Sequence, residues 1–344
     1  QGDWTETLYE YASGPPKLAC PRMITAGPDH SSIHILVSSY EDYLGQESAM
    51  VYSRSQDGGQ TWNIQNIILE GTGSNYYSAI WVDNYVWADE KDGTIALLCA
   101  SLLWHDMFMM KSTDDGDTWE KTVIWEHPYP FYNENTVVDT LFCVDGSANI
   151  ALDNSGKAHV VFGISKIWKP ESGGFVYLDP YCDGIGYWNE DMEPFSNDHH
   201  ALAPPGYGYE NSEMVEDYNY IGWMQDIDGN GTIDLNSDIF FYSETLGAST
   251  MPAITINDVG EIYVLFASTT ETYEYDDYNL KHIFGRAYCL GEWWPIVHLT
   301  GDIMHIFDES IHPVMATLSD ENIYYYIHTD ATPGYASFYN AHPH

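Results

Sequence analysis

Cations are scarce in this 344-residue chain, which carries 11 Lys and Arg against 52 Asp and Glu for a formal net charge of −41. Such a field repels phosphates and anionic lipid headgroups, which excludes nucleic acid as a partner and membrane insertion by charge attraction. Arginine is reduced to Arg22, Arg54 and Arg286. The cysteines are Cys20, Cys99, Cys143, Cys182 and Cys289, an odd set without CxxC spacing, so zinc and thioredoxin-like readings fail. Cys99 and Cys143 lie in apolar runs and read as buried thiols, with one disulfide left open. No apolar run reaches the roughly 20 residues of a membrane-spanning helix. Gln1-Gly-Asp-Trp4 shows no basic and apolar leader, which fits a processed or truncated chain as well as a cytosolic one. Apolar residues, by contrast, make up 44% of the chain and aromatics 15%, enough for a substantial core.

Five segments repeat one hairpin pattern: an apolar strand, a tight turn, then a β-branched and aromatic run. They begin at Met23, Tyr85, Ile150, Ala253 and Pro313 and close at Val37, Leu98, Phe162, Phe266 and Ile327. Gly or Asn at most of the turns supplies the positive φ of a tight hairpin. Ser32 to Gly93 is 61 residues, Gly93 to Gly156 is 63 and Gly260 to Asn322 is 62, whereas Gly156 to Gly260 is 104. A fixed period of this size predicts an all-β propeller of five to six four-stranded blades, one domain over 1–344 with an insertion at about 205–247. Trp4–Tyr11 reads as the fourth strand of a further blade.

Two units share a second feature. Ser55-Gln-Asp57-Gly-Gly59-Gln-Thr-Trp62 and Ser112-Thr-Asp114-Asp-Gly116-Asp-Thr-Trp119 each stand between two strand-like runs. The Asp carboxylate can accept N–H groups across the turn, Gly takes the left-handed position and Trp packs back into the blade. These turns resemble the Asp-box (BNR repeat) of sialidase-like propellers. With Glu126-His-Pro-Tyr-Pro-Phe131, Asp183-Gly-Ile-Gly-Tyr-Trp188 and Ile306-Phe-Asp-Glu-Ser-Ile-His312, the chain is similar over most of its length to secreted propellers of Bacteroidota. That resemblance implies type IX secretion, an extracellular or cell-surface location, and a propeller whose activity is unassigned.

Asp226-Ile-Asp228-Gly-Asn230-Gly-Thr232-Ile-Asp234 places oxygen ligands at positions 1, 3, 5, 7 (a carbonyl) and 9 of a loop suited to Ca²⁺. Position 12 is Ser237 rather than an acid, with Asp238 one residue later, so the expected ligand set is Asp226, Asp228, Asn230, Thr232, Asp234 and Asp238. No amphipathic helix flanks it, and the ion is expected to be structural. The Asp-box resemblance also raises sialidase catalysis, which needs several arginines on a sugar carboxylate; Arg22 and Arg286 are the residues available. His199-His200 and His342-Pro-His344 lack a metal-site spacing, and the aromatic loops 125–132 and 204–209 could stack on sugar rings. The resulting expectation is a non-catalytic, calcium-stabilised binding or structural module for an extracellular protein or glycan, with exposed strand edges open to self-association. A sialidase-like glycoside hydrolase is the alternative.

Overall fold

A computed structural model describes residues 17–81, 84–102, 105–235, 247–275, 278–316, 323–327 and 329–330. The first sheet is the meander β1 (Leu18–Ala26), β2 (Ser32–Ser39), β3 (Met50–Ser55) and β4 (Ile64–Ile67). The second repeats it with β5 (Tyr85–Trp87), β6 (Ile95–Cys99), β7 (Met107–Ser112) and β8 (Glu120–Trp125). The third contains β9 (Val138–Leu152), β10 (Ala158–Lys169), β11 (Tyr177–Leu178), β12 (Ile185–Asn189) and β13 (Tyr220–Gly222). The fourth contains β14 (Ser249–Ile256), β15 (Ile262–Tyr275), β16 (Tyr278–Cys289), β17 (Glu292–Trp293) and β18 (Val297–His298). Beyond it, β19 (Glu309–Ser310) pairs with β22 (Thr329–Asp330), and β20 (Val314–Met315) with β21 (Tyr325–Tyr326).

The chain is thus an all-β propeller, with no helix among the described residues. All five predicted hairpins are present, and the first strands of successive sheets lie side by side from β1 to β20. The last hairpin belongs only to two-stranded ladders, so the sheets do not fix the blade count at five or six. The excess chain divides between two connections, 190–219 from β12 to β13 and 223–248 from β13 to β14.

The core lies in layers between sheets, as a propeller requires. Leu36, Met50 and Tyr52 of the first sheet meet Leu97, Cys99, Phe108 and Met110 of the second, while Val161 and Ile185 of the third meet Ile254, Val264 and Phe266 of the fourth. Each fully buried side chain of this kind contributes about 1.5–3 kcal/mol. Gly186 on β12 is required by the same packing, since a Cβ there would lie 2.2 Å from the Phe162 ring. The five cysteines are free thiols, four of them buried.

The strands define two ends. Where the first strand meets the second and the third meets the fourth, most connections are short; the opposite end carries the long loops. On the short-turn end both Ser-x-Asp turns form the expected bonds. Ser55 Oγ and Ser112 Oγ accept the N–H of Gly59 and Gly116, while Asp57 and Asp114 accept from the N–H and hydroxyl of Thr61 and Thr118. Those donors draw the Asp114 carboxyl down to about 2. The tryptophan departs from expectation: Trp119 packs edge-on against Tyr52 of the preceding sheet, 5.3 Å between centroids, as well as near Trp87 of its own. The second turn is in fact a clasp between sheets. Arg54 gives its guanidinium to Asp115 O and Asp117, and Ser32, Gln56 and His34 all reach Asp115.

Candidate functional site

The long-loop end brings together the two aromatic segments flagged in the sequence. The 190–219 connection leaves β12 at the short-turn end and runs back along the gap between the second and third sheets to the opposite end, where Phe195 exchanges main-chain bonds with Ile124 and Glu126. Farther on, His199 O accepts from Phe142 N at the start of β9. The Tyr129 hydroxyl sits 3.2 Å from His199 Nε2, the Tyr209 ring stacks on His200 at 4.0 Å, and Tyr207 and Tyr209 both stand edge-on to Phe142. Between them Ser196, Asn197, Asp198, His199, His200 and Asn211 line a depression of about 610 Å³. Asp198 is anchored by the N–H of His200 and the Asn211 amide. Phe131 and Tyr207 are exposed on the same loops, and Tyr181 is exposed on the connection from β11 to β12.

Next to Tyr207 lies a buried charge cluster. Asp183, just before β12, has Tyr220 donating to its main-chain carbonyl and Tyr207 donating to the carbonyl of Tyr181. Burial pushes the Asp183 carboxyl up to about 6, although the Ser249 hydroxyl, the Met224 N–H and the Lys281 ammonium oppose this. Asp145, in a bulge of β9, is also raised by burial and is held by Ser147 and Thr250. Lys281 is 1% exposed and donates to the carbonyls of Gly247 and Ala248 and to Thr269 Oγ1. Burial draws its ammonium down to about 8, against the attraction of Glu309, Asp183 and Asp145. The peptide N–H of Lys281 reaches Glu309, so one lysine ties the third sheet, the fourth sheet and β19 together. No spacing motif in the sequence announces this cluster. Its only signal is a lysine inside an apolar strand of a chain poor in lysine.

Nearby His105 and His127 are buried and neutral, burial taking His105 to about 4 and His127 to about 3. His105 Nδ1 faces the Asp106 carbonyl and His127 Nδ1 accepts from Tyr129 N–H.

The arginines do not assemble. Arg286 spends all three donor nitrogens on Trp294 O, Ile221 O and Asp217, under the rings of Trp223 and Trp293. Arg22 lies on β1 and is exposed. A clamp on a sugar carboxylate cannot use a guanidinium so fully committed.

In the acidic loop, Asp226 accepts from Gly229 and Gly231, and Asp228 from Asn230 N–H. The Asn230 amide points to Asp228 and Asp234, and Thr232 Oγ1 reaches Asp234. Asp238 lies outside the described residues. Glu271 at the end of β15, absent from the sequence reading, comes within 4.8 Å of Asp226 and Asp228. Its carboxylate also accepts the N–H groups of Ile227, Asp228 and Asp234, so it pins the loop to the fourth sheet. Such a carboxylate could take the acidic role that position 12 lacks.

No protein-family model matches the chain, and no curated protein does. Among solved structures it is similar to a polysaccharide lyase, Uly1, at 11% identity and TM-score 0.48, covering 91% of this chain and 66% of that one. It is similar to an α-L-arabinanase of Penicillium chrysogenum at 14% identity and TM-score 0.42, covering 93% and 79%. An endo-arabinase from Bacteroides thetaiotaomicron follows at 11% identity and TM-score 0.34, covering 91% and 88%. At these identities the likeness concerns the β-propeller fold. It nonetheless corrects the expectation of a non-catalytic surface module, because the propellers found are enzymes of carbohydrate breakdown.

Proposed function

We propose that this chain is a glycoside hydrolase acting on a neutral glycan at its long-loop end. The observation that carries the reading is Asp183, a carboxyl raised to about 6 next to Tyr207, which belongs with Phe142, Tyr209 and His200 to one aromatic cluster whose His200 lines the depression. Glycosidic cleavage needs a proton delivered to the leaving oxygen near neutral pH, and a carboxyl raised by burial is suited to that task. Aromatic rings supply stacking surfaces for sugar C–H faces. The net charge of −41 and the commitment of Arg286 favour an uncharged chain over a sialoside or polyuronate. Extracellular action, an Asp-box lineage of the type IX secreted kind and a structural Ca²⁺ on Asp226, Asp228 and Glu271 belong to the same reading. Calorimetry with Ca²⁺ on chelator-treated protein tests the ion, and absence of both binding heat and thermal stabilisation would remove it.

The enzymatic test is release of reducing ends from arabinan, galactan and xylan, with polygalacturonate and a sialoside as charged controls. Wild type should act on a neutral polymer, while D183N should lose at least about 100-fold, the usual scale for general acid catalysis. Cleavage of the charged controls alone, or an unimpaired D183N enzyme, would refute the proposal.

A further inference from the structure

The short-turn end holds a second cavity, at the opposite end from the depression lined by Ser196, His199 and His200 and unused by the hydrolase reading. It has a volume of about 250 Å³ and lies where the first strands converge, with Trp87, Asp89, Lys91, Asn149, Thr255 and Val314 in its wall. We propose that it binds a single neutral sugar ring.

The argument starts from the backbone. Among the described residues β5, β9, β14 and β20 each pair along one side only, so their other edges are open where these strands draw together. An open strand edge presents alternating N–H and C=O groups, which are costly to enclose without partners. The chain answers part of this demand locally: the Ile150 N–H is capped by Asn149 Oδ1 at 2.8 Å, and Thr255 Oγ1 donates to Ala316 O. A ligand for such a wall must offer many donors and many acceptors at once. Sugar hydroxyls do both, whereas an apolar ligand would leave the edges unpaired.

Charge narrows the class further. Asp89 and Lys91 bring one formal charge of each sign, so the wall carries no excess cation to hold a phosphate or a carboxylate. Trp87, whose indole Nε1 donates to Arg22 O at 3.1 Å, offers a half-buried aromatic surface for the C–H face of a ring. Size sets the limit. The cavity has room for about eight waters and falls just below the roughly 300–1,000 Å³ of pockets for drug-sized ligands. One ring fits, and an oligosaccharide does not.

The test is ligand-observed NMR of the full chain with L-arabinose, D-xylose, D-galactose and D-glucose, alongside D-glucuronate and glycine as charged and zwitterionic probes. At least one neutral sugar should bind saturably with a Kd of about 1–10 mM. Val314 is 59% exposed and tolerates bulk, so V314W should fold normally and weaken binding at least tenfold by obstructing the cavity. W87F should weaken it less. D183N should bind as wild type does, which separates this site from the proposed catalytic one even if that proposal fails. Absence of saturable binding, binding unchanged in V314W, or preference for glucuronate or glycine would overturn the inference.

Discussion

Replacing Asp183 with Asn should stabilise the protein at neutral pH while leaving it unchanged in acid. Asp183 has its carboxyl pushed up to about 6 in the folded state, against 3.8 for the free group. Below pH 3.8 the group is protonated in both states and adds no penalty. Between 3.8 and 6 the unfolded chain sheds the proton that the folded chain keeps, so stability falls as pH rises. Above 6 the full penalty is in place, and two units correspond to about 3 kcal/mol. Asn keeps the shape and cannot ionise, so the loss disappears; it can still accept the Met224 N–H through its amide oxygen. For a chain of this size about 3 kcal/mol is roughly 5 °C of melting temperature. Differential scanning calorimetry of both proteins at pH 3.5, 5 and 7.5 reads the effect. The difference should grow from near zero to its maximum across that series. A D183N protein less stable than wild type at pH 7.5 would show that the Asp183–Lys281 attraction outweighs desolvation, refuting the reasoning.

Acid should destabilise the wild type through its histidines: His105, His127 and His282 are held by burial at about 4, 3 and 3, so their contribution is complete above 6.5 and is lost as pH falls below it. H105Q should shrink that slope between pH 6.5 and 4 in equilibrium unfolding. R286M leaves the carbonyls of Ile221 and Trp294 without their donor and should cost about 2–4 kcal/mol by denaturant titration. G116A places a Cβ 2.3 Å from the Tyr52 hydroxyl at a φ of +79°. It should cost about 1–3 kcal/mol from backbone strain alone, and loosening of the clasp should show as faster amide exchange on β3.

The fold was legible because periodicity is a local property that repeats. The spacing from Ser32 to Gly93 to Gly156 marks hairpins that the structure contains, and Ser-x-Asp spacing marks turns whose hydrogen bonds close within five residues. The partner of Trp119 was not legible, because Tyr52 belongs to another sheet. Glu271 and the Lys281 cluster escaped for the same reason: their partners lie in other strands or loops, and no spacing rule joins Asp145, Asp183, Lys281 and Glu309. The aromatic loops were visible as composition only. That segments 125–132 and 204–209 face one depression depends on the path of 190–219, which no local pattern specifies.

That path has a consequence for how such a protein can acquire a new activity. In the first two sheets a Ser-x-Asp turn closes the connection from third to fourth strand within a few residues, and the second of them is clasped to its neighbour. In the third sheet that turn is missing, and the chain wanders for thirty residues, from 190 to 219, before β13 restores the order. A repeat that loses its closing signature thus becomes a place where sequence can be added without undoing the clasp. Laboratory diversification should follow the same route, with libraries placed in 196–211 and the two Ser-x-Asp turns left untouched.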